Sequence, residues 1–290
     1  MQHLIRNELG DKVAKIDVIA LGDGLFALGT DWEKGDPELP APDDGIRVLR
    51  QVIEELKERG AHTIVTRVIT EQSNLDSSLT GKRAEWHRAV LSGSGLSQGE
   101  ERVEYRLPLA DAMESLGPTT TPRLTWTSVA TEPGPELDRA AEILSLVAPT
   151  DPDLATVDAA RGFLLARKED TSLVLPPECI QIGRIEKKAV SEADARASGD
   201  GTAEREDAAI VIPSVAPKTG WCSLYYMGVL PTFRGQGLGF EVMRHGFEVM
   251  ASLGGVTYHD GTAAENVAAV ALFARFGVDV YRRMEEWASR

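Results

Sequence analysis

The chain has 290 residues, of which 42% are hydrophobic and 26% charged, and it carries a net charge of -14. Its length suits one large or two ordinary domains, and its composition excludes wholesale disorder. The acidity argues against nucleic acid or an anionic membrane surface as a partner, favours solubility, and can attract cationic substrates such as amines.

The opening segment, MQHLIRNELGDK, lacks the apolar run of a signal peptide. No stretch approaches the roughly 18 apolar residues of a membrane span, so a cytoplasmic location is expected. Next, IDVIALGDGLFALGTDW predicts a hairpin turning at Gly22–Asp23–Gly24. DGIRVLRQVIEELKERGA predicts a helix capped by Asp44, with Ile46, Leu49, Ile53 and Leu56 as its apolar stripe and Gly60 as its stop. HTIVTRVIT reads as a strand, GKRAEWHRAVLSGSG as a helix running into glycines, and ERVEYRLPL as another strand.

From Leu124 the elements follow a clearer order. LTWTSVA alternates like a strand, and TEPGPE (Thr131 to Glu136) reads as a linker. LDRAAEILSLVA sets Leu137, Ala140, Ala141, Leu144 and Val147 on one helical face. DLATVDAARGFLLARK is a second helix with Asp151 and Pro152 as start signals. CIQIGRIEKKAV and AAIVIPSVA predict neighbouring strands on either side of an acidic loop, Ser191 to Asp207. GWCSLYYMGVLP is a further strand, followed by a helix with Val242, Gly246, Val249, Met250 and Leu253 at helical spacing and Gly254 at its end. GVTYHD is the next strand, TAAE (Thr262 to Glu265) a capping box for the helix NVAAVALFARF, and VDVYRRMEEWA the last strand after Gly277. Strands and helices alternating in this way predict a mixed α/β sheet. The first part repeats the later order faintly, as a diverged half-copy. Cys179 and Cys222, far apart and without a C-x-x-C pair, read as buried thiols in a reducing compartment, and no metal is expected.

The stretch PTFRGQGLGFEV (Pro231 to Val242) places three glycines on alternate positions after an arginine. Glycine in a helix costs about 1 kcal/mol relative to alanine, a cost that makes sense if something approaches the backbone closely there. A strand, a glycine turn and a helix start make an anion site: the first helical amides point outward and the macrodipole favours negative charge. Gly235, Gly237 and Gly239 clear the way to those amides, and Arg234 can add a charge-assisted contact. The spacing fits neither G-x-x-x-x-G-K-[ST] nor G-x-G-x-x-G. On this stretch alone a purely structural glycine turn stands as the alternative.

GVLPTFRGQGLG resembles the acyl-CoA-binding motif V-x-P-x-x-[RQ]-x-x-G-x-[GA] of the GNAT superfamily, the acetyl-CoA-dependent N-acetyltransferases, through Val229, Pro231, Arg234, Gly237 and Gly239. A second motif of that family, N-x-x-A-x-x-L-[YF]-x-x-x-G, is met by Asn266, Ala269, Leu272, Phe273 and Gly277. The resemblance covers roughly Leu124 to Arg290. It implies a GNAT domain at 119–290 behind a degenerate, non-catalytic copy at 1–118, where PAPDDGIRVLRQV occupies the cradle's place with only Gly45.

The resemblance further implies that acetyl-CoA is the cosubstrate and an amine of a small molecule or peptide the acceptor, attacked directly in a ternary complex of a monomer or homodimer. Backbone groups of Met227, Gly228 and Val229 would hold the pantetheine arm, with one amide from Met227 or Val229 polarising the thioester. The pyrophosphate would sit on the amides of Gln236, Gly237, Leu238, Gly239 and Phe240, and Asn266 would bond the pantetheine. Phe273 occupies the place where the family often has a tyrosine acid, and Tyr281 is a substitute donor. For the base, Tyr225 and Tyr226 alternate across the strand so that one faces the substrate, and His259 and Asp260 end the next strand. Tyr225 and Tyr226 can instead orient the amine, His259, Asp260 and Tyr281 each also have an ordinary packing, surface or turn role open to them, and protonation of the thiolate by water is equally open. The vacancy at Phe273 leaves a second reading, a non-catalytic acyl-CoA sensor.

Overall fold

The structure, a computed structural model, describes all residues except 1, 35–37, 72–77, 116–121, 130–132, 152, 170–178, 187–204 and 290. The chain forms two compact units that interleave in sequence. The first comprises Met1–Tyr105, Gly261–Val270 and Asp279–Arg290, the second Arg106–Asp260 and Ala271–Val278. These units do not coincide with the sequence halves 1–118 and 119–290, because the end of the chain is built into the first unit.

In the first unit β1 (Gln2–Arg6), β2 (Lys12–Gly22) and β3 (Leu25–Trp32) form an antiparallel meander. Gly22, Asp23 and Gly24 all have positive φ, which makes the expected hairpin turn between β2 and β3. Helix α1 (Pro42–Glu58) then crosses to β4 (Thr63–Glu71), parallel to β3. Its stripe buries Leu49, Val52, Ile53 and Leu56 against Phe26, Leu28 and Ile64, and Gly60 at φ 89° ends it. Asp44 is not the cap. The residue before the helix is Ala41, and Asp44 lies in the first turn paired to Arg47 at 2.9 Å. Helix α2 (Ser78–Gly93) leads to β5 (Leu96–Pro108).

The last strand, β11 (Val280–Ser289), runs antiparallel to both β4 and β5 and lies between them. Charge holds it there: Arg88 forks onto the carboxylate of Glu285 at 2.5–2.9 Å, Arg282 pairs with Glu104, and Arg283 with Glu101 at 2.8 Å. Glu104 and Glu285 are buried, so these pairs are worth more intact than either ion alone could repay.

In the second unit, helix α3 (Leu109–Ser115) precedes β6 (Leu124–Ser128), α4 (Pro135–Val147) and α5 (Val157–Glu169). The start of α5 departs from expectation: Thr156 Oγ1 accepts the Ala159 N–H at 3.1 Å, whereas Asp151 bonds the Asp153 amide in a preceding turn and Pro152 lies outside the described residues. Strands β7 (Gln181–Glu186), β8 (Arg205–Val215), β9 (Trp221–Val229) and β10 (Thr257–Ala263) follow, in the spatial order β10-β9-β8-β7-β6. Arg205–Asp207 of the expected acidic loop already belong to β8, and its remainder lies outside the described residues. Helix α6 (Leu238–Ser252) connects β9 to β10, and α7 (Val267–Arg275) follows β10. The hinge of α7 also differs: Thr262 is still strand, and Asn266 Oδ1 caps the helix by accepting the Ala269 N–H at 3.2 Å.

The core of the second unit packs Leu137, Ala140, Ala141, Ile143 and Leu144 of α4 and Leu164 of α5 on Ile182, Ile210 and Ile212 of the sheet. Both units share one connection pattern, an antiparallel pair followed by a helix and a parallel strand (β2-β3-α1-β4 and β8-β9-α6-β10).

Candidate active site: a splayed strand pair and a glycine cradle

The parallel strands β9 and β10 are paired only where they begin, Trp221 with Thr257 and Cys222 with Tyr258. Beyond that point β9 continues for seven residues to Val229 with β8 alone beside it in the ladder. Amides alternate in direction along a strand. Since Leu230 N–H reaches Ala208 on the β8 side at 2.9 Å, Met227 and Val229 turn theirs the other way, into the gap. The carboxylate of Asp260 closes the base of that gap, its Oδ2 accepting the Leu224 N–H at 3.1 Å and the Tyr258 hydroxyl at 2.9 Å.

A bulge shapes the middle of β9. The register steps from Ile212↔Tyr226 to Pro213↔Leu224, leaving Tyr225 as the extra residue. Proline has no N–H for the ladder, which makes this the weak point of the pairing. The consequence corrects the sequence reading. Tyr225 and Tyr226 do not face opposite ways: both pack on the α4/α5 side, with Tyr225 5.4 Å from the Phe163 ring. Gly228 is on that side as well, and a Cβ there would stand 2.8 Å from the Val147 side chain. Burial raises the Tyr226 hydroxyl to about 12, with the Asp151 charge adding to the effect.

At the top of β9 a short 3-10 turn (Pro231–Phe233) leads into the glycine loop. Gly235 and Gly237 have φ of 76° and 77°, and Gly237 is the N-cap of α6 with no side-chain cap. The amides of Gly235 through Gly239 make no hydrogen bond among the described residues. Five bare N–H groups at a helix start fit a diphosphate. Arg234 stands beside them but is engaged: its Nε donates to the Val229 carbonyl at 3.0 Å and its Nη2 to the Val147 carbonyl at 3.1 Å. It braces the strand exit against the end of α4. Leu238 is buried, Gly239 lies 3.8 Å from Leu272 (measured from an ideal Cβ), and Phe240 stacks on Phe276 at 4.6 Å under the guanidinium of Arg275.

The remaining candidates scatter. His259 packs 5.5 Å from the Trp221 ring, which also carries Arg106 at 5.0 Å. Phe273 is buried 6.3 Å from Tyr258. Asn266, the α7 cap, and Tyr281, on β11 with Arg282 5.9 Å from its ring, belong to the first unit. Both cysteines are buried and neither is in a disulfide, and burial, followed by the charge of Asp260, pushes the Cys222 thiol up to about 11, so it is no nucleophile. Among the described residues no group of three or more metal-ligating side chains occurs, and no helix is long and apolar enough to cross a membrane.

One residue of the cradle escaped the sequence altogether. Arg123, just before β6, donates from Nη1 to the Gln236 carbonyl at 2.8 Å and from Nε to Glu241 at 2.5 Å. No local pattern marks an arginine more than a hundred positions from its partner.

Residues 198–278 match the model of the acetyltransferase (GNAT) family. No curated protein sequence matches the chain. Among solved structures, a tandem GNAT protein from the clavulanic acid biosynthesis pathway, without acetyl-CoA, is similar over 99% of this chain and 81% of its own, with a TM-score of 0.54 at 14% identity. A GCN5-related N-acetyltransferase from Sphaerobacter thermophilus is similar over 99% of this chain and 79% of its own, with a TM-score of 0.55 and 14% identity. At 14% identity the likeness is one of fold alone, and it extends over nearly the whole of this chain.

Proposed function

We propose that this chain, a tandem GNAT protein whose second module carries the family's domain, is an N-acetyltransferase that moves an acetyl group from acetyl-CoA to a primary amine of a small molecule or peptide. The observation that carries the reading is the conjunction of five amides at Gly235–Gly239 with no hydrogen bond among the described residues and a strand edge, Met227 to Val229, whose neighbour has turned away. A thioester coenzyme has the complementary parts, an anionic diphosphate and an extended amide-bearing arm.

In this reading the α6 amides bind the diphosphate, and Met227, Gly228 and Val229 take the pantetheine as an added strand. The Met227 or Val229 N–H polarises the thioester carbonyl as the amine nitrogen attacks. The acyl C–S bond then breaks, the sulfur leaves as thiolate, and the amine gives up a proton. Removing one such oxyanion donor costs on the order of 3 kcal/mol of barrier. Arg234 keeps the loop in place through two carbonyls, and Asp260 holds the strands apart at the slot's base. Tyr225 and Tyr226, brought to one face by the bulge, line the acceptor side and orient the amine. With Asp260 occupied by two donors, His259 or a water takes the proton, and a water protonates the thiolate. The first module, with Asp43 and Asp44 at the start of α1 where the second has glycines, holds no diphosphate, since the carboxylates repel it. Two cysteines that form no disulfide suit a cytoplasmic setting.

The buried Phe273 favours one rival, a sensor that binds acyl-CoA without turning it over. Incubating the protein with acetyl-CoA and a panel of amines separates the two: thiol release with at least one amine supports the transferase, and tight binding with no thiol release from any amine supports the sensor.

A further inference from the structure

The peptide that joins Gln236 to Gly237 has a carbonyl on one side and an N–H on the other, because a trans peptide holds the two antiparallel. The side the carbonyl takes therefore decides where the Gly237 N–H points. Arg123 takes the Gln236 carbonyl at 2.8 Å. The same guanidinium is fixed by Glu241, in the first turn of α6, through Nε at 2.5 Å. Glu241 Oε2 also accepts the main-chain N–H of Arg123 at 2.9 Å and of Leu124 at 3.3 Å. Strand β6, helix α6 and the glycine loop are thus joined at one point. Gly237, which has no Cβ and a φ of 77°, could rotate this peptide freely if nothing held it.

From this geometry we propose that the Arg123–Glu241 pair is a latch that sets coenzyme affinity by aiming the Gly237 amide into the cradle. Arg123 is a positioning residue here, acting through the loop backbone. The inference rests on the acyl-CoA reading of the second module. It also reassigns the arginine work of the site: Arg234 braces the loop where it leaves β9, and Arg123 braces it where it enters α6. With both carbonyls held, the amides between them are preorganised, and preorganisation lowers the entropy lost on binding.

The test is calorimetric titration of CoA into the full chain for the wild type and for Arg123→Gln, Arg123→Lys and Glu241→Gln, below the temperature at which each unfolds. Arg123→Gln and Glu241→Gln both weaken CoA binding about tenfold, and Arg123→Lys, which can still reach the carbonyl, recovers part of the loss. Thermal unfolding of each variant is followed in parallel, since a brace that served only stability would lower the midpoint and leave the affinity of the folded protein unchanged. Unchanged affinity in Arg123→Gln overturns the latch. So does tighter binding in Glu241→Gln, which would mean that the arginine acts as a charge that Glu241 merely neutralises. Absence of CoA binding by the wild type would instead overturn the coenzyme reading itself.

Discussion

Asp260 and Leu224 are joined by a side chain where a sheet would use its backbone: the carboxylate Oδ2 accepts the Leu224 N–H at 3.1 Å, two residues past the last β9/β10 pair. The strands part at this point, and the slot begins. An aspartate here keeps a buried amide satisfied after its neighbouring strand has left. That makes Asp260 a wedge between the strands.

Asp260→Ala strands the Leu224 amide and the hydroxyl of the fully buried Tyr258, whose OH donates to the same oxygen at 2.9 Å. Two lost buried hydrogen bonds predict a destabilisation of about 2–4 kcal/mol in urea unfolding. Asp260→Asn, which keeps an acceptor oxygen, costs less than half of that. Equal losses in the two variants would show that the charge, and not the acceptor geometry, is what matters.

Gly237→Ala puts a methyl group on a residue at φ 77°, a strain of about 1 kcal/mol. The fold absorbs this, but the peptide turns and the bare amides lose their aim. The expected result is a CoA affinity at least tenfold weaker with a thermal midpoint shifted by only a few degrees. Gly228→Val makes the contrasting case: its side chain meets Val147, already 2.8 Å from a bare Cβ, so stability falls together with affinity.

The last strand predicts the outcome of cutting the chain in two. β11 lies between β4 and β5 and is clamped by Arg88–Glu285, Arg282–Glu104 and Arg283–Glu101. A fragment spanning 119–290 leaves β11 without either neighbour strand, with its row of charges unpaired. It is expected to be aggregated or to show broad, uncooperative melting, and co-expression with 1–118 should restore solubility. A fragment that melted cooperatively on its own would show that β11 needs no partner from the first module.

Two histidines predict acid sensitivity. Burial lowers His87 to about 4, with Glu285 opposing and Arg88 adding to the effect, and burial likewise lowers His245 to about 4. Among the described residues His87 hydrogen-bonds Thr30 Oγ1 at 3.2 Å, and His245 hydrogen-bonds Gln181 Oε1 at 2.6 Å under the Trp126 ring, with Glu248 4.0 Å from its other ring nitrogen. Both groups hold a proton more readily when unfolded, at about 6.5. The stability due to each is complete above 6.5 and is lost as pH falls toward 4, by about 3 kcal/mol for His87. Urea midpoints measured between pH 7 and 4 should decline along this path, and His87→Gln should make the decline shallower. A flat profile would contradict the buried neutral state.

Much of this architecture was legible in the sequence, wherever the signal was local. The Gly22–Asp23–Gly24 hairpin, the stripe of α1 and the glycine cradle each follow from residues within one or two turns of one another. What stayed hidden depends on pairing at a distance. The bulge that puts Tyr225 and Tyr226 on one face is set by Pro213 on the neighbouring strand. The capping box at Thr262 is a sound local pattern that lost to the extension of β10, so Asn266 caps instead. The place of β11 was beyond local reading, because its alternation is the same whichever strands it joins. Arg123 belongs to the same class, a side chain recruited to the cradle by tertiary structure alone.

The central claim is that the backbone between β9 and α6 holds a thioester coenzyme, and its most direct test is an amide-resolved NMR titration of the full chain with CoA. The account predicts that the amides of Gly235 to Phe240 shift together with those of Met227 and Val229, while those of α1 in the first module stay in place. Saturable shifts centred elsewhere, with the glycine loop unmoved, would contradict it.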